Sequence, residues 1–351
     1  MTDHHTTAEI LATHTPELFA AAVRRAAGLL RAGGVVALPT ETVYGLAANA
    51  LDATAVTRIY DVKGRPAHNP IIVHVADVEM AKRCVADWPL PADKLARAFW
   101  PGPLTLVLPK SDAIPGIVAA GGVTVGVRWP RHPFIRAVIR ECGFPLAAPS
   151  ANLSNQLSPT TAKHVQHQLG RRLHLIVDGG QAQVGLESTV LDLTTCPPRI
   201  LRPGMIHVES LAAVVGDVRS PAPGDQHPAP ELRSPGQLPK HYAPRARLIV
   251  QTWRDDADLE ANLRRAGFKV ARSKTHVIVH TAIASAMEFG RVSVIPHDAE
   301  AFARAIYAEL HCCDEAGAEL IVVEAPPDEP AWAAIADRLR RAASDNVSDP
   351  D

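Results

Sequence analysis

The residues of this chain with the most chemistry to offer fall in short polar clusters, each directly after an apolar run. Pro39-Thr40-Glu41-Thr42-Val43-Tyr44-Gly45-Leu46 follows Val35–Leu38, and its threonine hydroxyls are neutral groups that both donate and accept hydrogen bonds. Lys63-Gly64-Arg65-Pro66, with Asn69-Pro70 just beyond, keeps two cations on a tight bend. Such a pair can clamp phosphate oxygens, Arg through a planar fork and Lys as a point charge. His74 lies in the apolar run Pro70–Val75, and Arg128 closes Val123–Val127, whose alternation turns it toward whatever crevice that strand borders. Pro149-Ser150-Ala151-Asn152-Leu153-Ser154 follows Pro145–Ala148. With Ser158-Pro159-Thr160 it supplies hydroxyls and backbone N–H groups suited to a phosphate near a helix start. Ser188, after Glu187, and Arg202, in Leu201-Arg202-Pro203-Gly204, complete the series. Each cluster has an ordinary explanation of its own: threonine capping in a turn, a solvated basic turn, a satisfied sheet histidine, or Thr160 as a plain N-cap. Six of them in order, each at a strand end, outweigh those explanations, because α/β folds bind ligands at strand ends.

Familiar catalytic patterns are missing. There is no G-x-x-x-x-G-K-[ST], no G-x-G-x-x-G after the first strand, no H-E-x-x-H and no G-x-S-x-G. P-loop, dinucleotide-binding, zinc peptidase and α/β-hydrolase chemistries therefore have no support. The five cysteines, at 84, 142, 196, 312 and 313, show no C-x-x-C spacing and fit a reduced, cytoplasmic protein better than a disulfide framework or zinc site.

The elements that must position the clusters are legible as alternating patterns. Helical spacing of apolar residues runs from Leu18 to Leu30 and stops at Gly33-Gly34. Further helices are expected at Ala53–Val62, Val78–Ala86, Ala92–Phe99, Pro133–Cys142 and Thr161–Leu169. Strands are expected at Val35–Leu38, Pro70–Val75, Leu104–Leu108, Val123–Arg128, Leu146–Ala148, His174–Val177, Thr189–Leu193 and Arg199–Leu201. The last two form a pair with no helix between them, so a mixed sheet flanked by helices is expected rather than a purely parallel one.

At 351 residues, 47% hydrophobic and 21% charged, the chain is sized for about two domains with real cores. It has no apolar stretch long enough to span a membrane, and Met1 to Glu9 has no signal-peptide pattern. The net charge of −1 conceals a surplus of +5 in residues 1–245 against −6 in 246–351. A surplus of five is too thin for a general nucleic-acid binder, yet it suits a site for one polyanionic small molecule. Residues 218–245 carry seven prolines in 28 residues, the composition of a linker or lid. Beyond them, strands at Leu248–Gln251, Thr275–His280, Val292–Ile295 and Leu320–Glu324 alternate with helices at Asp256–Ala266, Ala299–Ala316 and Ala331–Ala342, a βα pattern with no catalytic constellation.

Taken together, PTETVYG at 39–45, KGRP at 63–66 with Asn69-Pro70, WPGPLT at 100–105, APSAN at 148–152 and Arg202-Pro203-Gly204 resemble the YrdC-like domain of the L-threonylcarbamoyladenylate synthase family. The resemblance covers roughly residues 16–217. Ser234-Pro235-Gly236 and Lys240-His241-Tyr242-Ala243-Pro244 are similar to the linker of the long, two-domain form of that family, from which the chain departs at Gln237 to Pro239. It implies an α/β fold with a YrdC-like domain at 1–217, an open twisted mixed sheet around a deep basic cavity. A proline-rich linker or lid would span 218–245 and a smaller Rossmann-like βα domain 246–351.

The implied activity is that of a nucleotidyltransferase: L-threonine, bicarbonate and ATP give threonylcarbamoyl-AMP and pyrophosphate. The product would serve threonylcarbamoyladenosine formation in tRNAs reading codons that begin with A, through downstream transfer proteins. Carried over position by position, Thr42, His74, Arg128, Ala148 (through its backbone) and Ser188 would hold threonine. Arg65, Asn69, Thr124, Ser150, Ser158, Arg202 and Tyr242 would hold ATP. Lys63 and Arg65 are the expected catalytic cations, and Mg²⁺ would be held mainly through the ATP phosphates. The linker is expected to fold back and bring Lys240-His241-Tyr242 to the nucleotide. An RNA-binding module is the main rival, but aromatic residues make up only 5% and no basic-aromatic stripe is present for base stacking. A carbamoyl-transferring relative is the second, but its cysteine-rich zinc motifs are missing here.

Overall fold

The computed structural model describes residues 7–220, 241–265, 267–281 and 289–343. Residues 221–240, with Ser234-Pro235-Gly236, Gln237 to Pro239 and Lys240 among them, lie outside the described residues, and with them most of the expected lid. The chain divides into two compact units, Met1–Ser154 with Ser158–Gln237, and Asn155–Leu157 with Leu238–Asp351.

The first unit holds, among the described residues, a ten-stranded sheet. Its strands are β1 (Glu9–Ala12), β2 (Val36–Leu38), β3 (Gly45–Asn49), β4 (Val73–His74), β5 (Leu104–Pro109), β6 (Thr124–Arg128), β7 (Leu146–Ala147), β8 (Leu175–Asp178), β9 (Thr189–Asp192) and β10 (Arg199–Arg202). The spatial order is β1-β8-β2-β3-β7-β4-β6-β5-β9-β10. Parallel pairs such as β4·β6 and β5·β9 alternate with antiparallel ones such as β5·β6 and β9·β10, the mixed sheet expected from the helix-free step between the last two strands. Helices cover the sheet, and each is started by its own sequence. Thr15 accepts from the Leu18 N–H to open Pro16–Arg31, which buries Ala22, Val23, Ala26, Ala27 and Leu30. Asp52 and Asp77 cap Ala53–Lys63 and Val78–Cys84 in the same way.

Two strands have no signal of their own in the sequence, and two local readings need correction. β1 has no apolar alternation and forms through parallel pairing with β8. β3 reads Gly-Leu-Ala-Ala-Asn, without a β-branched residue, and exists because β2 and β7 supply ladders on both sides. The run Pro70–Val75 forms a strand only at Val73–His74, because Pro70 has no N–H and Ile71 donates to Val118 instead. The helix Ala162–Leu169 is capped by Thr161 rather than Thr160.

The second unit is built on a four-stranded, all-parallel sheet in the order β11-β14-β12-β13, from Arg247–Gln251, Thr275–Val279, Arg291–Val294 and Leu320–Glu324 as β11 to β14 in chain order. Leu259, Val277, Val279, Leu320 and Val322 form its core. This is the small βα architecture expected of the second half.

The bend that separates Lys63 from Arg65 depends on one glycine. Gly64 ends the helix Ala53–Lys63 in the left-handed region, at φ 59° and ψ 40°, with its N–H on the carbonyls of Tyr60 and Asp61. Gly64→Ala should cost about 1–2 kcal/mol of stability, and Gly64→Asn less, in denaturant midpoints. Equal stability of the alanine variant would show that the turn does not need this conformation.

Candidate functional site

The parallel register of β4 and β6 sets His74 directly beside Arg128, so both side chains leave the same face of the sheet. Arg128 is buried, and its guanidinium is gripped from three directions. Nε donates to the Gly102 carbonyl at 3.2 Å and Nη1 to Thr42 Oγ1 at 3.0 Å. Nη2 lies 2.6 Å from Glu41 Oε1, an ion pair by distance, although Nη2 makes no aligned hydrogen bond. Glu41 is itself fixed by the backbone N–H groups of Arg131 at 2.9 Å and His132 at 3.4 Å. Burial would raise the Glu41 carboxyl, but the Arg128 cation and the Arg131 N–H outweigh it and hold it below its ordinary value. His74 is pushed down to about 3, first by burial and then by the Arg128 charge, so its imidazole is neutral. Its Nδ1 is buried with no hydrogen-bond partner. Thr40 joins this group through Thr42, its hydroxyl sitting 2.9 Å from the Thr42 hydroxyl and donating to the Val43 carbonyl at 2.6 Å.

A second group forms around the KGR bend. Lys63 is fully buried at the helix C-terminus and donates to the Ser150 carbonyl at 2.5 Å and to the Asn152 carbonyl. Burial first, then the nearby Arg65 charge, lowers its ammonium well below the usual range. Its described contacts thus hold the loop 150–152 in place. Arg65 donates through Nε to the Asn69 carbonyl at 3.0 Å and through Nη2 to the Pro70 carbonyl at 2.7 Å, closing the 65–70 loop on itself. Asn69 is only 1% exposed, yet neither its side-chain nitrogen nor its oxygen has a partner.

A third group stands at the start of β9. Thr105 and Ser188 hydroxyls meet at 2.8 Å. Arg202 reaches the Ser188 carbonyl through Nε at 3.1 Å and Nη2 at 3.0 Å, and the Ser188 hydroxyl at 3.1 Å. Gly204 makes that approach possible: a Cβ there would lie 2.3 Å from the Thr189 nitrogen and 2.8 Å from the Ser188 carbonyl carbon. Ser158 donates to Glu187 at 2.5 Å, both buried. Ala148 uses its N–H on the Ile72 carbonyl at 3.0 Å. Thr124, half-buried, starts β6.

Of the expected threonine set, contacts link Thr42 to Arg128, whose register partner is His74, while Ser188 belongs to the Arg202 group. Of the expected ATP set, Arg65 and Asn69 share one loop, Ser150 is tied to it through Lys63, and Ser158 pairs with Glu187. Tyr242 belongs to the second unit, where its ring packs edge-on against His241 at 3.9 Å and under the Arg338 guanidinium at 5.3 Å. Sequence reading did not single out Glu41, Thr105 or Glu187 as site residues. The signal for Glu41 was present, a lone carboxylate between two threonines at a strand end, with Arg128 as the cation to match it. Among the described residues no group of three or more His, Cys, Asp or Glu could hold a metal ion. None of their helices is long and apolar enough to cross a membrane.

A family model described as "Telomere recombination", covering Sua5, YciO and YrdC proteins, matches residues 28–204, and one described as "Threonylcarbamoyl-AMP synthase, C-terminal domain" matches residues 206–344. The threonylcarbamoyl-AMP synthase of Bacillus subtilis is 41% identical over 345 residues, 96% of this chain and 96% of that one. That of Pyrococcus abyssi is 40% identical over 327 residues, 91% and 93% of the two chains. The crystal structure of P. abyssi Sua5 complexed with L-threonine superposes with a TM-score of 0.85 at 37% identity, over 96% of this chain and 98% of that one.

Two outcomes follow from this geometry. His74 titrates near 3 in the native protein and near about 6.5 when unfolded. Between those values the unfolded chain takes up a proton that the native one refuses, so stability falls as pH drops through that window and is complete above it. His74→Gln should flatten the slope of denaturant-derived stability between about pH 5 and 6.5 by up to about 1.4 kcal/mol per unit. An unchanged slope would place a protonated imidazole in the native site. Gly204→Ala should lose about 1–3 kcal/mol from forced backbone movement against Ser188–Thr189, read as a lower Tm.

Proposed function

The chain belongs to the threonylcarbamoyl-AMP synthase family, and on that premise we propose that it condenses L-threonine, bicarbonate and ATP to threonylcarbamoyl-AMP with release of pyrophosphate. The observation that carries the reading is a set of buried polar atoms with no protein partner in hydrogen bonding: both amide atoms of Asn69 and His74 Nδ1. Each such atom costs roughly 1–3 kcal/mol unless a ligand satisfies it, and they lie in the two groups that the substrates would occupy.

Threonine would set its carboxylate against Arg128, while its hydroxyl and amine meet neutral donors and acceptors: Thr42, His74, Ser188 and the carbonyl of Ala148. ATP would be held by Arg65 and Asn69, by Thr124, Ser150 and Ser158, and by Arg202. No side chain is needed as a nucleophile. The threonine amine, after giving its ammonium proton to solvent, captures CO₂ with loss of a second proton, or bicarbonate with loss of water. The carbamate oxygen then attacks the α-phosphate in line, breaking its bond to the departing pyrophosphate. The chain's part is positioning and charge compensation. Arg65 and Arg202 face charge growing on the phosphates, and Lys63 holds the 150–152 loop that carries Ser150. Mg²⁺ bound through the phosphates would add charge neutralisation on the leaving group. The product would pass to proteins that transfer the threonylcarbamoyl group to tRNA. None of the five cysteines is in a disulfide, which supports a reducing cytoplasmic setting.

Pyrophosphate release measured with threonine, with serine and with no amino acid tests the assignment, and release indifferent to the amino acid would reject it. Arg128→Ala should raise the KM for threonine far more than that for ATP, because it strands Glu41 and leaves the substrate carboxylate unpaired. Arg65→Ala and Asn69→Ala should do the reverse. The Arg65 change should be about ten- to a hundredfold, the worth of a charge-assisted hydrogen bond. Variants that weaken both substrates alike would point to a folding defect instead.

A further inference from the structure

We propose that Glu41 determines which charge class of amino acid the pocket accepts: it cancels the charge of Arg128, leaving a net-neutral cavity that admits a zwitterion and excludes a second carboxylate. The proposal rests on the reading of Thr42, His74 and Arg128 as the amino-acid subsite.

Glu41 is 2% exposed and cannot swing away. Oε1 takes the Arg131 N–H and faces Arg128 Nη2, and Oε2 faces the His132 N–H. Its partner is just as confined by Gly102 and Thr42. The neighbouring imidazoles add no charge, since burial drives His74 down to about 3 and lowers His132 as well, and the Arg131 side chain is exposed to solvent rather than buried with the pair. Formal charge in the subsite therefore sums to zero. A neutral-side-chain amino acid adds a carboxylate and an ammonium and keeps that sum. An acidic amino acid brings one more negative charge into a site whose cation is already paired, where an uncompensated charge is heavily penalised. Arg202, which reaches Ser188 Oγ at 3.1 Å, is the next cation, and its charge is answered by the ATP phosphates when nucleotide is bound.

Asparagine and aspartate have the same shape and differ in charge, so they isolate this effect. Both are tested as competitors of threonine in pyrophosphate release by the full chain with saturating ATP. The wild type should bind aspartate about tenfold or more weakly than asparagine. Glu41→Gln keeps an oxygen for Arg128 and Arg131 but removes the charge. It should move the ratio toward one and raise the threonine KM, with the ATP KM unchanged. Loss of packing alone would weaken both competitors alike and leave the ratio where it was. Should Glu41→Gln fail to fold by circular dichroism, Glu41→Asp, which keeps the charge, must keep the wild-type ratio. The proposal is overturned if asparagine competes no better than aspartate in the wild type, if the ratio persists in folded Glu41→Gln, or if it vanishes in Glu41→Asp. A threonine KM untouched by Arg128→Ala would instead reject the subsite itself.

Discussion

A cation removed from water costs several kcal/mol unless its donors find acceptors, and this constraint orders the functional face of the first unit. Lys63, Arg65, Arg128 and Arg202 are all buried, and each spends donors on main-chain carbonyls of loops that have no regular ladder. Lys63 takes Ser150 and Asn152, Arg65 takes Asn69 and Pro70, Arg128 takes Gly102, and Arg202 takes Ser188. The exchange is mutual, since a buried carbonyl without a donor is itself unfavourable. The same buried cations thus hold the loops around them, and for Lys63, Arg128 and Arg202 the segment held is remote in sequence.

The groups of buried cations differ in how that charge is balanced. Around Arg128 a carboxylate stands within 2.6 Å, and the neighbouring imidazole is neutral, so the buried charge is answered on the spot. Around Lys63, Arg65 and Arg202 main-chain carbonyls take many of the buried donors, and burial beside Arg65 lowers the Lys63 ammonium. Ser158 on Glu187 is the exception there, a hydroxyl given a fixed direction by a buried acid.

This explains what was legible in the sequence. Lys63, Arg65, Arg128 and Arg202 were readable because charged residues at strand and helix ends have few structural reasons to be there. The mixed sheet was readable from Thr189–Leu193 and Arg199–Leu201, a strand pair without a helix between. β3 was not, because Gly45–Asn49 carries no intrinsic strand preference and takes its form from neighbours brought in from residues 36–38 and 146–147. Glu41 escaped because its importance lies in a partner 87 positions away. The packing reason for Gly204, the backbone of Ser188–Thr189 lying against it, was likewise not legible. In each case the missing information was a long-range contact, which local pattern does not encode.

The same constraint recurs in the second unit and gives order to the end of the proline-rich stretch. Asp337 is buried in the helix Ala333–Ala343, and burial would raise its carboxyl. Arg338, Arg341 and Arg340, at 2.9, 3.1 and 2.7 Å, hold it ionised instead. Arg338, anchored this way, lays its guanidinium over the Tyr242 ring at 5.3 Å, a cation–π contact strengthened by desolvation. The Arg341 carbonyl accepts the His241 N–H at 3.3 Å, and Tyr307 closes on Tyr242 from a second helix at 6.1 Å. Tyr242 is held at φ 62°, a conformation that a bulky residue keeps only when its surroundings over-determine it. A domain without a catalytic constellation can thus still fix one short segment, His241-Tyr242-Ala243, in a conformation the segment would not adopt alone.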